Sequence, residues 1–417
     1  MTLSKNIIGL TLGPLLAAVA FFTLQGFGWQ ATACWTAAIT VICAVWWIFE
    51  PIPIPATSLI PLATLPIIGV LTPAQVGESY GSPLVLLLMG GFILSTAMEK
   101  SGAHRRVALG MVNLFGGNSS RRLVFGFMAA AAVLSMWISN TATTLMLLPV
   151  ALAVIERSDD DNLAIPLLLG IAYAASVGGI GTPIGTPPNL VFREIYQQNT
   201  GIEIGFLTWM SWGVPVVLIF VPIIALWLTR RLNHQGHIDM PKVGAWQTEE
   251  RRVFIVFAFT ALAWITRSQP FGGWKTWLDV PGANDASVAL LAVVAMFLIP
   301  NGKGSRLLDW ETAGRIPWGM LILFGGGIAI AKAFVVSGMS AALGSALAGI
   351  AGWPMLAMMA VICLCITFLT EMTSNTATTT LMMPILAAGA IAAGIAPEAL
   401  MVPAAMSASC AFMLPVA

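Results

Sequence analysis

Charge is scarce in this chain. Of its 417 residues only 9% are Asp, Glu, Lys or Arg, and 18 acidic against 19 basic residues leave a formal net charge of +1. A soluble globular chain carries about 25% charged residues, so a water-exposed globular body is excluded for most of the length. The near-zero balance also leaves nucleic-acid binding without electrostatic support. Histidine (3) and cysteine (5) are few. Cys34, Cys43, Cys363, Cys365 and Cys410 sit in apolar stretches and read as packing residues, not as a metal set. His234 and His237 fall in a polar stretch and His104 stands beside Arg105, so none is expected to hold a metal. The chain has no Walker loop, no His-Glu-x-x-His, no Gly-x-Ser-x-Gly and no paired Asp within an apolar run. An enzyme or an ATP-driven pump therefore finds no motif to stand on.

What fills the chain is apolar sequence, 58% of it, with 15 Trp suited to anchoring at membrane interfaces. Many runs approach the roughly 20 residues that span a bilayer. They are continuous, not alternating, so a helical bundle is expected and a β-barrel is not. Spans are expected at 7–24, 31–49, 54–71 and 84–99, the last kinked at Gly90-Gly91. Residues 7–20 could pass for a signal peptide ending at Ala18-Val19-Ala20, but the spans that follow favour a first transmembrane helix. An amphipathic piece at 103–115 carries His104, Arg105 and Arg106. After it come the interrupted runs 122–156 and 163–195, a span at 206–229 and a polar linker at 232–252. The second half repeats the plan: spans at 253–268, 286–300 and 317–335 (with Gly325-Gly326-Gly327), a small-residue piece at 337–351, an interrupted run at 354–394 and a last piece from 397.

The interruptions carry the chemistry. Ser139-Asn140-Thr141-Ala142-Thr143-Thr144 recurs as Ser374-Asn375-Thr376-Ala377-Thr378-Thr379, 235 residues later, and Gly91 and Gly327 stand 236 apart. A near-constant offset marks an internal repeat. Each polar cluster lies in the middle of a run too long for one helix, so each is expected to be a re-entrant hairpin of two half-helices. The run 163–195 is broken at Gly181-Thr182-Pro183-Ile184-Gly185-Thr186-Pro187-Pro188-Asn189, where the prolines stop the helix. Lys100, His104, Arg105 and Arg106 follow the first glycine run, whereas Ser337–Leu343 is uncharged. Positive charge marks the cytoplasmic side, so the repeats are expected to be inverted. With the N-terminus inside, 15 of the 19 Lys and Arg fall on the cytoplasmic side; Arg193, Arg267 and Lys275 fall outside and Lys332 within a span, near enough to its end to snorkel.

Helix starts expose backbone N–H groups and attract anions. Asn140, Thr141, Asn375 and Thr376 stand at such starts and can donate to a carboxylate. Carbonyls at helix ends, with Ser and Asn oxygens, suit Na⁺. Ser135 lies one turn before Ser139, and Thr370 one turn before Ser374. Gly185 and Thr186 add a bend and a hydroxyl. Glu371 is read as a structural or interfacial carboxylate, not a proton carrier. Two matched polar clusters in inverted repeats point to a substrate site in a transporter.

These features resemble the divalent-anion:sodium symporter (DASS, or INDY) family over essentially the whole chain. The paired Ser-Asn-Thr clusters carry the likeness, with Gly-Thr-Pro-Pro-Asn at 185–189 and Ser409-Cys410-Ala411-Phe412-Met413-Leu414-Pro415-Val416-Ala417. The resemblance implies an all-α polytopic membrane protein with inverted repeats, broken helices and an elevator-type mechanism. It implies a homodimer of scaffold parts (1–118, 253–351) and transport parts (119–231, 352–417) around the linker. One sodium site would use Ser135, Ser139, Asn140 and Gly185, and a second Thr370, Ser374, Asn375 and Ala417. A dicarboxylate would meet Asn140, Thr141 and Thr186 on one side and Asn375 and Thr376 on the other. Segment 404–417 aligns with 172–185 and stops where a second Thr-Pro-Pro-Asn is expected, so the family pattern implies a C-terminally truncated chain whose second sodium site is incomplete. Import of a C4-dicarboxylate such as succinate, malate or fumarate with Na⁺ across a bacterial inner membrane is the expectation. A sodium-independent exchanger, a symporter for citrate or sulfate, and a passive anion channel are the alternatives.

Overall fold

A computed structural model describes residues 2–115, 119–158, 160–232, 244–342 and 353–414. Ala417, His234, His237, most of the linker and most of the small-residue piece at 337–351 lie outside the described residues. The described chain is helical, with an isolated bridge between Pro300 and Arg306 in place of any sheet. In order the helices are α1 (Thr2–Gly26), α2 (Ala31–Phe49), α3 (Ile54–Thr57), α4 (Leu59–Ile67), α5 (Pro73–Tyr80), α6 (Pro83–Ser101) and α7 (Ala103–Phe115). There follow α8 (Ser120–Ser135), α9 (Asn140–Ile155), α10 (Ala164–Gly179), α11 (Pro187–Thr200), α12 (Phe206–Thr229) and α13 (Thr248–Ile265). The rest are α14 (Gly273–Trp277), α15 (Asp285–Leu298), α16 (Trp310–Ala313), α17 (Trp318–Val336), α18 (Met355–Thr370), α19 (Asn375–Ala392) and α20 (Pro397–Ser407).

Among the described residues five stretches are long and apolar enough to cross a membrane: Asn6–Gly26, Ala31–Phe49, Pro73–Ser101, Phe206–Thr229 and Trp318–Val336. Much of the surface of α1 and α12 is exposed and apolar, including Phe22, Leu218 and Leu226, the pattern of helices bathed in hydrocarbon.

One expectation about the spans is corrected. The run 54–71 is a short α3 and α4 joined at Ser58, and Val70 and Leu71 lie beyond the helix end. Pro55, Pro61 and Pro66 deprive that run of donors, and hydropathy does not register them. The glycine runs do not break their helices, since α6 and α17 pass through them. They allow close approach. A Cβ on Gly90 would stand 2.7 Å from Ala289 Cβ, and one on Gly327 2.0 Å from Thr380 Cγ2.

The repeat is visible in the helix boundaries. α6 and α17, α8 and α18, and α9 and α19 each begin 235 residues apart. The chain forms two compact units. One comprises Met1–Val85, Leu190–Ile204 and Pro317–Ala417; the other comprises Leu86–Asn189 and Gly205–Ile316. In the first, α17 packs on α4 and α5, and α18, α19 and α20 pack on one another. Its core includes Trp47, Leu65, Leu323 and Phe334. In the second, α8 is central and touches α7, α9, α10 and α12. Its stacked Trp137, Phe206 and Trp264 rings lie beside the α8–α9 connection.

Candidate functional site

In the second unit, α8 stops at Ser135 and α9 starts at Asn140. Ser139 caps α9, its Oγ accepting from Ala142 N–H at 3.2 Å, which satisfies one of the free donors of the first turn. Ser135 Oγ donates to Asn140 Oδ1 at 2.6 Å across the break. Ser135 is fully buried. Thr141 is exposed on the first turn of α9.

The break between α10 and α11 closes against this tip. Thr182 Oγ1 donates to Met136 O. A Cβ on Gly185 would lie 2.4 Å from Gly179 O and 2.9 Å from Ser135 O, and one on Gly179 would lie 2.7 Å from Asn140 Oδ1 and 3.2 Å from Thr186 Cβ. Ser135, Asn140, Gly179, Gly185 and Thr186 are thus brought together; the family resemblance implies an ion- or substrate-binding role for all of them but Gly179. Gly179 was missed, since a glycine at the end of an apolar helix carries no motif of its own. The donor set is neutral oxygen, from a hydroxyl, an amide and main-chain carbonyls at helix ends. That set fits a hard monovalent cation, and the glycines leave the space that a Cβ would fill.

The first unit builds the counterpart. α18 stops at Thr370 and α19 starts at Asn375. Thr370 Oγ1 lies 2.5 Å from Asn375 Oδ1 and 3.1 Å from Ala408 O. A hydroxyl carries a single proton, so it donates to one of these acceptors at a time or shares it between them. Ser374, unlike Ser139, makes no side-chain cap bond. Its hydroxyl is free of that duty. Thr376 is buried within the first turn of α19. Ala417, the remaining expected ligand, lies outside the described residues.

Glu371 is the difference between the two copies, for its equivalent by the 235-residue offset is Met136. It is 3% exposed, and its carboxylate accepts from the backbone N–H groups of Phe412, Met413 and Leu414 at 2.7, 3.0 and 2.8 Å. That is the work of a structural carboxylate, holding the segment after α20 to the tip. Lys332 does not simply snorkel: its Nζ pairs with Glu78 Oε2 at 2.5 Å.

Both tips share one physical logic. Unpaired N–H groups at the starts of α9 and α19 attract negative charge, and carbonyls at the ends of α8 and α18 attract positive charge. Neither tip carries an acid–base pair or an activated nucleophile, so the arrangement suits ion binding and not bond making.

The family model described as Citrate transporter matches residues 44–408. The chain is 40% identical over 436 residues to the sodium-dependent dicarboxylate transporter SdcS of Staphylococcus saprophyticus, covering 99% of this chain and 83% of that one. The SdcS protein of Staphylococcus aureus strain USA300 is likewise 40% identical, over 438 residues with the same coverage. Among solved structures, the Alcanivorax borkumensis YdaH transporter shares the fold at TM-score 0.59 and 15% identity, over 85% of this chain and 78% of that one. Neisseria gonorrhoeae MtrF does so at TM-score 0.53 and 15% identity, over 86% of this chain and 76% of that one. With a family match over most of its length and relatives at 40% identity, this chain belongs to the divalent-anion:sodium symporter family reached by the Citrate transporter description, and it is a membrane transporter, not an enzyme.

Proposed function

We propose that the protein is a secondary active transporter that imports a C4-dicarboxylate of the succinate, malate or fumarate kind together with Na⁺, by alternating access. The observation that carries this reading is the duplicated Ser/Thr–Asn pair at a helix break, Ser135 with Asn140 and Thr370 with Asn375. The printed names of the relatives, sodium-dependent dicarboxylate transporters, support it.

In this reading Ser135, Ser139, Asn140 and Gly185 hold one Na⁺, and Thr370, Ser374, Asn375 and Ala417 hold a second. Bound Na⁺ supplies the positive charge that neutralises an incoming anion. Ser135 and Thr370 release their hydrogen bonds to the Asn side chains, freeing Oδ1 to face the cation. The Asn140 and Asn375 amide groups, with the hydroxyls of Thr141, Thr186 and Thr376, then donate to the substrate carboxylates. Fixed donors cost little reorganisation when the anion arrives, which is why a cation-ordered tip binds substrate better than a loose one. The two helix–break–helix segments act as re-entrant hairpins of transport parts 119–231 and 352–417, moving in elevator fashion against scaffold parts 1–118 and 253–351. The protein is a homodimer in a bacterial inner membrane, N-terminus cytoplasmic.

The test is uptake of labelled succinate into proteoliposomes with an inward Na⁺ gradient, compared with K⁺ in its place. Uptake only with Na⁺, competed by malate or fumarate, is expected. Asn140→Ala and Asn375→Ala each abolish it while the protein still elutes as a folded species in detergent. Uptake indifferent to Na⁺ but dependent on internal dicarboxylate makes the protein an exchanger. Non-saturating anion currents make it a channel.

A further inference from the structure

Asn189 closes the Thr-Pro-Pro-Asn motif and stands in the first turn of α11, fully buried. Its Nδ2 donates to Gly179 O at 2.9 Å and to Thr182 O at 2.7 Å. Its Oδ1 has no partner among the described residues, so its two donor bonds fix where the side chain sits. Reversing the amide would set its oxygen against two carbonyl oxygens, so the orientation is dictated by the network. Both acceptors belong to the break between α10 and α11. Gly179 is the last residue of α10 and Thr182 lies inside the break. Trp209 Nε1 donates to Ile180 O at 2.8 Å between them.

A polar bond inside a membrane protein becomes informative when it spans a break instead of repairing a helix. Asn189 ties the end of one half-helix to the start of the next, ten residues on. The carbonyl it grips is the one that Gly185 approaches, and Gly179 also borders Asn140 Oδ1 and Thr186. The same tie therefore sets the spacing of the oxygens around Ser135 and the place of the Thr186 hydroxyl.

We propose that Asn189 is a positioning residue: through Gly179 and Thr182 it holds the α10–α11 break closed around the Ser135–Asn140 cation site, and so couples cation affinity to the presentation of Thr186 to the anion. This rests on the sodium-coupled reading above. The side chain acts as a donor clamp and touches neither ion. What matters is its N–H pair, and a carboxylate of the same size cannot replace it.

The experiment measures Na⁺ dependence of succinate uptake in proteoliposomes for wild type and Asn189→Asp, with the Na⁺-dependent shift in thermal unfolding of the purified proteins as a readout independent of transport. Loss of two buried donor bonds raises the Na⁺ half-saturation about fivefold or more in both readouts, while the succinate KM at saturating Na⁺ returns close to wild type. Asn189→Ala gives the same shift without added charge, and Asn189→Ser, with one hydroxyl donor, falls between; these variants carry the test if the Asp protein does not fold. An unchanged half-saturation with a lowered maximal rate overturns the inference and leaves Asn189 a packing residue. A tightened Na⁺ affinity in Asn189→Asp also overturns it, making the residue a direct ligand. Wild-type uptake indifferent to Na⁺ overturns the sodium-coupled reading itself, which is distinguishable because it appears before any variant is compared.

Discussion

Ser135 Oγ stands 2.6 Å from Asn140 Oδ1, a hydroxyl donating to an amide oxygen across a helix break. Thr370 and Asn375 repeat the contact at 2.5 Å in the other half of the chain. Neither pair is required by a helix, whose own bonds end before the break. Each presets an amide oxygen beside the C-terminal end of the preceding half-helix, where cations are favoured.

The pairs are therefore expected to tune ion affinity more than folding. Ser135→Ala removes one hydroxyl oxygen from the cation set and is expected to raise the Na⁺ half-saturation about fivefold, which is about 1 kcal/mol for one hydrogen-bonding group. Thr370→Ala shifts it further, since that hydroxyl also reaches Ala408 O. Unchanged Na⁺ dependence in both variants would sink the assignment.

Gly185→Ala is expected to abolish uptake. The new methyl would meet Gly179 O at 2.4 Å and Ser135 O at 2.9 Å, both main-chain atoms that cannot swing aside. Overpacking of this kind typically costs about 1–3 kcal/mol, and here the relief must come from opening the site. Gly91→Ala is the control: nothing lies within 4 Å of its Cβ position, and its uptake stays at wild-type level.

Arg267 and Asp285 form an ion pair at 2.8 Å, with 2% and 3% of their side chains exposed. The pair fastens the end of α13 to the first residue of α15, beside the Trp264 Nε1 bond to Asp285 O. Asp285→Asn leaves a buried guanidinium without its counter-charge and is expected to cost about 3–5 kcal/mol. Its melting temperature in detergent falls well below wild type. Arg267→Met combined with Asp285→Leu recovers most of the loss; a double variant as unstable as the single would show that the charges themselves are needed.

His104 gives a pH dependence. Burial, with Arg105 nearby, pulls its pKa below the usual histidine value, against the bond between Nδ1 and Met98 O at 2.8 Å. The unfolded chain therefore binds the proton more readily than the folded one below about pH 6.5. Stability is full above that pH and declines as the pH falls. Thermal unfolding in detergent checks this: the wild-type midpoint drops between about pH 7.5 and 5.5, and the drop is smaller in His104→Gln.

Much of this was written locally. The Ser-Asn-Thr copies, their 235-residue offset and the prolines after Thr186 name the helix breaks, because a break is set by a few consecutive residues that cannot continue a helix in hydrocarbon. The breaks at 136–139 and 371–374 lie where the sequence put them, whereas the break expected over 181–189 ends at 186, because Pro187 and Pro188 open α11, where a first-turn proline loses no helix bond. The run 54–71 misled because a hydropathy pattern counts apolar residues and is blind to the donors that prolines remove. The glycine runs carry a second role that the sequence does not spell out: a missing Cβ admits a neighbour, and only the packing names it. Gly327 sits where Thr380 presses in.

By itself the sequence determined that the chain is a helical membrane protein built on a repeat, and which residues end its helices. The tertiary structure decided how each break is closed: Asn189 reaching back to Gly179, Trp209 to Ile180, and Glu371 gathering the N–H groups of Phe412, Met413 and Leu414. The physical reason is that a buried polar group must find a partner, and its partner is fixed by which distant segment packs against it, not by its neighbours in the chain.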